Sequence, residues 1–501
     1  MSPDRRRVYL VTARKGADVV GNRRWAAFAV LCLGTLMVVL DQTIVNVALP
    51  SIRTSLGFSE TSLAWVVNAY LLTYGGFLLL SGRLGDLYGQ RRIFLAGIAL
   101  FTVSSVACGL STSQAMLIAA RAVQGVGGAL ASAVGLSLVI VLFTDPLERA
   151  KAMGITGFVA SGGGALGVVL GGVLTSALSW HWIFLVNVPF GVLVCSLVVR
   201  LVPDGRVEGA PRRLDLGGAF TITGALLLVV DAVINGNQDG WTSARTLTVL
   251  SVAAVLVVAF VGLELRVRVP LVRLSLFRSR TLTSANVVGV LWAAAMFAWF
   301  FLAALYLQLV LGYDALHVGL AFLPGDVVMA ICSVSISARL VVRFGNRPPM
   351  VVGLVLAALG LLLLARAPEH GHYVLDVFPS MVLLGFGAGI AFNPVMLAAM
   401  NDVPEEDSGL ASGLLNTSFT MGGALGLAAL ASLAASRTHG SDAPHALLSG
   451  YHAAFVVGAA LAALAAVVGV VGIRPPRVDT SDLDDVPDWL GEADEETVPV
   501  R

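Results

Sequence analysis

The sequence predicts an all-α membrane protein with 14 transmembrane helices, arranged as two six-helix bundles plus two extra central helices. Three observations predict this class. The chain of 501 residues is 57% hydrophobic and only 13% charged, about half the charge of an average soluble domain. Apolar runs of roughly eighteen residues or more recur along it, and in hydrocarbon such runs are stable as helices. Finally, similar short motifs recur in its two halves.

Fourteen apolar runs can be counted, and we number them span 1 to span 14. They do not alternate in hydrophobicity as barrel strands do, because they are apolar all round. The first run is too long for the core of a cleaved signal peptide, so we expect it to be retained. The predicted spans are 25–50, 62–82, 93–110, 114–142, 150–176, 182–201, 214–235, 246–265, 281–311, 316–342, 349–366, 376–400, 407–435 and 450–473.

The distribution of positive charge predicts the orientation. If the N-terminus is cytoplasmic, most of the 32 Lys and Arg residues fall on the inner side, and four arginines remain in the outer loops. This asymmetry is the positive-inside signature of membrane proteins. Lys15 and Lys151 are the only lysines, and this bias to Arg is typical of a GC-rich bacterial genome. We therefore predict a multi-pass protein of the bacterial cell membrane with both termini cytoplasmic. The basic tail 1–22 and the acidic tail 474–501 are expected to be unstructured.

An internal repeat divides the chain. GRLGDLYGQRR (82–92) is similar to ARLVVRFGNR (338–347), which starts 256 residues later, and GGALG occurs at both 163–167 and 422–426. Two related six-helix units with a site at their interface are typical of transporters that work by alternating access. The sequence contains no metal-ligand spacing and no nucleophile–base pattern, so neither an enzyme nor a cofactor is expected. The predicted domains are a first bundle at 23–203, two linker helices at 214–268 and a second bundle at 281–473.

Few ionisable residues lie well inside the spans, and such residues are functional candidates. Asp41 and Arg121 belong to spans 1 and 4, and both lie roughly 10–13 Å below the outer ends of their helices by the rise per residue. We therefore expect them to pair. Protonation of the aspartate would weaken this attraction and let the helices rearrange, although a static ion pair would look the same in sequence.

Asp326 follows Pro324 and Gly325 in span 10, also roughly 13 Å deep. It belongs to the second bundle, so it is expected to face Asp41 across a central cavity and to bind a cationic substrate or a second proton. Asp231 lies near the outer end of span 7 and is expected to have an outer-vestibule or interfacial role. The other expected cavity residues are polar, aromatic or Met side chains: Gln42, Asn46, Trp292, Met296, Phe300, Tyr306, Gln308 and Asn393.

Gly163, Gly167 and Gly171 of span 5 are spaced by four residues. This spacing makes a smooth stripe on which another helix can approach closely. We expect the stripe to form a sliding contact between the halves, although static packing would give the same pattern.

Several motifs resemble those of the major facilitator superfamily, specifically its fourteen-span drug:proton antiporter branch. LDQTIVNVALP (40–50) resembles the first-span signature, 82–92 the loop between spans 2 and 3, and LIAARAVQGVGGA (117–129) the span 4 motif. WHWIFLVNVPFG (180–191) and SGLLNTSFTMGGALG (412–426) are also typical, and the resemblance covers residues 25–473.

The resemblance implies the major facilitator fold and a role for each matched residue. Asp41 would be the protonated acid of span 1, and Arg121 would take part in proton relay. The cytoplasmic gating loop would consist of Gly82, Arg83, Asp86, Gly89, Arg91 and Arg92. Its aspartate would contact the start of span 13 near Asp407–Ser408, where a helix N-terminus attracts a carboxylate.

Val168 departs from the antiporter motif, which usually has proline after the last glycine of GGALG, and Val342 replaces the loop aspartate in the second half. We predict a proton-driven exporter of hydrophobic, cationic or amphipathic small molecules that functions as a monomer in the lipid bilayer. No nucleic acid, metal or cofactor is expected, since the proton gradient drives the cycle. A dedicated exporter of one antibiotic or metabolite, a proton symporter and a non-transporting membrane sensor remain alternatives.

Overall fold

The computed structural model describes residues 3–143, 145–202, 215–267, 270–400, 403, 408–438 and 443–473. Within these ranges every regular element is a helix and none is a strand, which confirms the all-α prediction. Fourteen helices in the described part of the chain are long and apolar enough to cross a membrane, so the predicted number of spans is also confirmed. The acidic tail 474–501 lies outside the described residues.

The helices have bounds close to the predicted spans. Spans 1 to 7 are Pro3–Leu56, Glu60–Tyr88, Gln90–Gly109, Gln114–Leu142, Pro146–Ala177, Trp182–Leu185 followed by Asn187–Leu201, and Leu216–Asp239. Span 8 is Ala244–Arg266, and the short 3-10 helix Leu274–Arg278 precedes span 9, which is Arg280–Leu305 with the π-helical turn Tyr306–Val310. Span 10 is Ala315–Ile331, the π-helical turn Cys332–Ile336 and Ser337–Phe344. Spans 11 to 14 are Arg347–Leu364, Tyr373–Val377 with Phe378–Met400, Ser408–Thr438 and Pro444–Gly472.

The first helix is longer than predicted at both ends. It begins at Pro3, within the tail expected to be unstructured, and it passes through Pro50 to end at Leu56. Pro3 is the only proline among residues 3–22 and stands at the first position of the helix, so no proline interrupts this stretch. At the far end Thr54 donates to the carbonyl oxygen of Pro50 at 3.1 Å.

Glycines at helix crossings show that the internal repeat is structural. Spans 3 and 4 cross at Gly97 and Gly127, where a Cβ added to Gly97 would lie 3.0 Å from the oxygen of Gly127. Spans 11 and 12 cross in the same way, because a Cβ on Gly353 would lie 2.8 Å from the oxygen of Gly387. These crossings occupy matching places in spans 1–6 and spans 9–14, which we call the first set and the second set.

The ends of the bundle differ in composition. The end at which span 2 meets span 3 and span 10 meets span 11 carries most of the described arginines, and we call it the arginine-rich face. Its two equivalent turns are made by Gly89, with φ +98°, and Gly345, with φ +75°. Residues other than glycine rarely adopt these φ values, so the turn geometry explains why both copies of the motif contain glycine there.

The glycine stripe of span 5 packs inside the first set. A Cβ on Gly167 would lie 2.8 Å from the oxygen of Leu40, and one on Gly171 would lie 2.7 Å from the oxygen of Ile44. Both partners belong to span 1, so the expected sliding contact between halves is wrong for this stripe. Spacing shows that a helix approaches closely, but it does not show which helix.

Other small residues bring the two sets together. A Cβ on Gly172 of span 5 would lie 2.6 Å from the oxygen of Ala315 in span 10, and one on Gly319 would lie 2.8 Å from the oxygen of Val168. Toward the arginine-rich face, a Cβ on Gly413 of span 13 would lie 2.8 Å from Leu79 of span 2. Spans 5 and 10 therefore close one end of the interface, and spans 2 and 13 make contact nearer the arginine-rich face.

Spans 7 and 8 form a hairpin outside both sets. Span 7 packs against spans 2 and 13, and Asn237 donates to the backbone oxygen of Ser432 at 2.9 Å. Span 8 is mostly exposed along its length, and Val255 and Val258 are 65% and 72% exposed, as expected for a helix that faces lipid.

Candidate functional site

A cavity of about 280 Å³ lies between the two sets, and we call it the central cavity. One wall comes from the first set and consists of Val39, Gln42, Thr43, Asn46, Val67 and Gly164. The other wall comes from the second set and consists of Trp292, Met296, Phe297, Phe300, Asp326, Met329, Ser333, Ala388, Gly389, Phe392 and Phe419. The cavity is therefore apolar and aromatic on one side and carries a few amide and hydroxyl groups on the other.

Six of the expected cavity residues belong to this lining: Gln42, Asn46, Trp292, Met296, Phe300 and Asp326. Tyr306, Gln308 and Asn393 do not. Trp292, Met296 and Phe300 are four residues apart and share one helix face, whereas Tyr306 begins a π-helical turn and donates its hydroxyl to the oxygen of Pro368 at 2.9 Å.

Gln308 and Asn393 bond to backbone instead of facing the cavity. Gln308 donates to the oxygen of Val47 at 2.9 Å and so joins the two sets. Asn393 donates to the oxygen of Ser333 at 2.7 Å. Phe392 and Phe419 also line the cavity but were not predicted from the sequence, because an apolar ring in an apolar run carries no polar signal.

Asp326 is the charged residue of the central cavity lining. It is 2% exposed, and its Oδ2 atom has no hydrogen-bond partner among the described residues. The preceding Gly325 allows span 10 to touch span 12, because a Cβ there would lie 2.8 Å from the oxygen of Met381. This close packing fixes the carboxyl group at the cavity wall, where an unpaired charge is costly unless a ligand or a proton compensates it.

Asp41 lies in a different environment, at the centre of a buried polar network in the first set. Arg121 donates from Nη1 to Asp41 Oδ2 at 2.6 Å, as the depth estimate predicts. Gln124 and Asn187 donate to Asp41 Oδ1 at 2.8 and 2.9 Å. Both carboxylate oxygens are thus satisfied, and Asp41 is fully buried.

Gln124 and Asn187 belong to this network but were not predicted from the sequence. Gln124 follows Arg121 by one helical turn, which places both on one face of span 4. Asn187 lies in the motif 180–191, at the start of the second part of span 6. Each is a polar side chain within an apolar run, and this is the sequence signal by which they could have been predicted.

Arg121 is held on all sides. Its Nε donates to the oxygen of Val66 at 2.9 Å, its Nη1 donates to Gln124 Oε1 at 2.7 Å, and its guanidinium lies 4.4 Å from the centre of the Tyr70 ring. The Tyr70 hydroxyl accepts a long bond of 3.5 Å from Gln42, which lines the central cavity. Through these two side chains the network reaches the cavity wall.

Asp41 itself does not belong to the cavity lining, so the expectation that it faces Asp326 across the cavity is wrong. Successive residues of a helix point about 100° apart. Asp41 therefore points into the first set, and its neighbour Gln42 points to the cavity.

The expected gating loop borders a second cavity, of about 560 Å³, at the arginine-rich face, and we call it the vestibule. Gly82, Arg83 and Asp86 line one side, and Leu410, Ser412 and Gly413 of span 13 line the other. Span 13 begins at Ser408, and Asp407 lies outside the described residues. The described part thus places Asp86 across a cavity from the first turns of span 13.

The rest of the loop has structural contacts. Gly89 caps span 2 by donating its N–H to the oxygen of Gly85, and Arg91 donates to the oxygen of Val199 at the end of span 6. Arg92 is exposed.

Aromatic side chains separate the vestibule from the central cavity. Asn416 lines the vestibule and also a void of about 10 Å³ bordered by Trp292, Phe392 and Phe419. These three rings also line the central cavity. A substrate moving from one cavity to the other would have to displace them.

Charges that line neither cavity form local contacts. Asp231 accepts a bond of 2.8 Å from Asn235 and lies 3.8 Å from Arg245, at the end opposite the arginine-rich face. In the loop before span 10, Asp314 accepts the backbone N–H of His317 at 2.7 Å, and this bond lowers the pKa of the carboxyl group. No group of three or more His, Cys, Asp or Glu residues suitable for a metal ion occurs among the described residues.

Known proteins resemble this chain in sequence and in fold. The family model of the Major Facilitator Superfamily matches residues 31–427. The chain is 37% identical over 454 residues to the cephamycin export protein CmcT of Amycolatopsis lactamdurans, covering 89% of this chain and 93% of that protein.

It is also 40% identical over 415 residues to the multidrug resistance protein Stp of Mycobacterium tuberculosis, covering 82% of this chain and 76% of that protein. The nucleoside transporter NupG has the same fold, with a TM-score of 0.64 and 10% identity over 90% of this chain and all of that one.

Proposed function

Because the chain belongs to the Major Facilitator Superfamily, we propose that it is a proton-coupled efflux transporter that exports hydrophobic, cationic or amphipathic compounds. One observation carries this proposal. A buried carboxyl group with an unpartnered oxygen, Asp326, lies in the wall of an aromatic cavity between two structurally repeated helix sets.

The cavity has the chemistry of a site for organic cations. Five aromatic rings of the second set provide apolar area and electron-rich faces that attract a delocalised or quaternary positive charge. Asp326 supplies the opposite charge, and Gln42 and Asn46 on the facing wall offer directional hydrogen bonds. Such a combination of apolar lining and few polar groups is typical of small-molecule sites.

Proton coupling in this proposal rests on Asp41. As a carboxylate it holds Arg121, and on protonation the charge–charge attraction is lost while the arginine stays buried. The guanidinium would then shift against Tyr70, whose hydroxyl contacts Gln42 in the cavity wall. Protonation and the shape of the cavity are thereby linked through three side chains.

The two ends of the helix bundle differ in charge and in closure, and these differences support an orientation and a transport cycle. The arginine-rich face is the cytoplasmic side, in keeping with the bias of Lys and Arg to that side, and both termini are cytoplasmic. Substrate enters through the vestibule, while spans 5 and 10 close the outer end at Gly172 and Gly319. Rocking of one set against the other would open that end and close the vestibule.

The test uses everted membrane vesicles and a fluorescent lipophilic cation. An imposed pH gradient should drive accumulation of the dye, an uncoupler should abolish it, and Asp41→Asn should eliminate the gradient-driven part. Asp239→Asn is the matched control, because Asp239 pairs with Arg245 across the turn between spans 7 and 8, and neither residue lines a cavity. Accumulation that persists with the uncoupler would contradict proton coupling, and dye-induced pH change of the opposite sign would indicate symport.

Export of a single antibiotic or metabolite is a second candidate, favoured by the similarity to a protein named for cephamycin export. A panel of structurally unrelated cations separates the two. A multidrug exporter transports several of them, and a dedicated exporter transports at most one.

A further inference from the structure

Two acidic residues at the arginine-rich end of the span 7–8 hairpin have no part in the proposed transport cycle. Asp215 precedes span 7, and Glu264 lies in the last turn of span 8. Each is 5% exposed, and each has one oxygen, Asp215 Oδ2 and Glu264 Oε1, without a hydrogen-bond donor among the described residues.

The two unpartnered oxygens face the same point. A Cβ added to Gly218 would lie 2.7 Å from Asp215 Oδ2 and 2.9 Å from Glu264 Oε1. The absence of a side chain at Gly218 thus lets the two carboxyl groups approach each other. Two buried carboxylates that face one point repel each other, and one proton placed between them converts the repulsion into a hydrogen bond.

The other oxygens of the pair are fixed by backbone donors. Gly218 N–H donates to Asp215 Oδ1 at 2.7 Å, which caps span 7, and Val272 N–H donates to Glu264 Oε2 at 3.2 Å. A divalent cation would need about six oxygen ligands. Here two oxygens face the shared space and the others are turned toward N–H groups, so the arrangement suits a proton and not a metal ion.

Glu264 also connects the pair to residues 270–279, which we call the strap. Leu271 of the strap is buried against Leu80 of span 2 and Ala219 of span 7. Arg83 of the gating loop donates to the oxygen of Pro270 at 3.5 Å, and Arg273 lines the vestibule. The strap therefore contacts the hairpin, the gating loop and the vestibule at once.

We propose that Asp215 and Glu264 form a proton-binding site, in which one shared proton joins the two carboxyl groups and keeps the strap docked. Loss of the proton to water at the arginine-rich face leaves two carboxylates. Because Asp215 is anchored as a helix cap, Glu264 is the residue that moves away. Val272 of the strap is bonded to Glu264 and moves with it. This site is independent of the proposed transport cycle and senses pH at the vestibule.

Other charges on the elements packed around the pair belong to span 2, span 8 and the strap, and they face elsewhere in the ways already described or lie at the surface. They are Arg83, Asp86, Arg266, Arg273 and Arg278, while Arg212, Arg213 and Arg268 lie outside the described residues. Arg83 donates to the oxygen of Pro270, Asp86 lines the vestibule, and Arg266, Arg273 and Arg278 are exposed.

Hydrogen–deuterium exchange of the strap in the full-length protein, reconstituted in lipid nanodiscs, tests the proposal across a pH series. Each variant is compared with wild type at the same pH, so that intrinsic exchange rates cancel. Asp215→Asn keeps a donor between the two groups at every pH. At the alkaline end, the wild-type strap should exchange about tenfold faster than that of Asp215→Asn, and at the acidic end the two should agree.

Two further measurements keep the result decisive. The pH-difference infrared spectrum of wild type should contain the carbonyl band of a protonated carboxylic acid that Glu264→Gln lacks. Asp231 lies in span 7, the helix that Asp215 caps, but toward its other end, so Asp231→Asn should behave as wild type in both experiments. Equal strap exchange in wild type and Asp215→Asn at every pH, an unchanged infrared band in Glu264→Gln, or a strap response to sodium ions at constant pH would each overturn the proposal.

Discussion

Asp41 and Asp326 are both buried acids inside the membrane-spanning region, yet their surroundings are opposite. Asp41 accepts hydrogen bonds from three side chains, including Arg121 at 2.6 Å. Asp326 lies in a wall of aromatic and aliphatic groups and has an oxygen without a described partner. The difference indicates that the first set stabilises its charge internally, whereas the second set leaves its charge available to whatever enters the cavity.

The largest expected effect comes from breaking the buried ion pair on one side. Arg121→Met leaves Asp41 without its counter-charge, and we expect a loss of about 3–5 kcal/mol of stability. Thermal unfolding of the purified protein measures it. Combined with Asp41→Asn, the same substitution should cost clearly less than the sum of the two single changes. Additive losses would show that the pair does not act as a unit.

The surroundings of Asp41 and of Asp326 affect each other only if the first set and the second set move as rigid bodies about the contact between them. Gly172→Ile places a branched side chain where even a Cβ would lie 2.6 Å from the oxygen of Ala315. We expect roughly tenfold slower transport, since spans 5 and 10 can no longer close. Gly154→Ala in the same span is the control, because nothing lies within 4 Å of its added Cβ. Equal rates in the two variants would contradict this contact.

A smaller effect of the opposite sign is expected at the cavity. Asp326→Leu removes a buried polar group without a full set of partners, so stability should stay the same or rise by about 1 kcal/mol. Thermal unfolding again measures it, with transport of cations lost in the same variant. Destabilisation comparable to that of Arg121→Met would mean that Asp326 has a structural partner.

The smallest effect is expected where the two regions meet. Tyr70→Phe removes the hydroxyl that accepts the 3.5 Å bond from Gln42 but keeps the ring under Arg121. We expect a change of about twofold in the rate of proton-driven transport and little change in stability. Initial rates in vesicles provide the measurement. A complete loss of transport would assign the hydroxyl a direct part in proton movement.

Composition and periodicity predicted the helices well, because apolar runs in a membrane have few other structures available to them. The pairing of Asp41 with Arg121 was also predictable, since both depths follow from the helical rise. The direction in which a side chain points was harder to predict from the sequence. Asp41 and Gln42 are neighbours in sequence, but one points into the first set and the other into the cavity.

Helix partners and irregular turns account for the remaining differences. The stripe at Gly163, Gly167 and Gly171 correctly indicated a close approach, yet nothing in the spacing identified span 1 as the partner. The π-helical turn that begins at Tyr306 changes the register of span 9, so residues beyond it leave the face shared by Trp292 and Met296. Local irregularities of this kind have weak sequence signals.

Charge selectivity tests the contrast between the two acids most directly. Gradient-driven transport of a monovalent cation and of its neutral analogue, built on one skeleton, should be measured in vesicles for wild type, Asp326→Asn and Asp41→Asn. Our account predicts that Asp326→Asn loses the cation but keeps the neutral analogue, and that Asp41→Asn loses both. Equal loss of both substrates in Asp326→Asn, or gradient-driven transport of either substrate by Asp41→Asn, would contradict it.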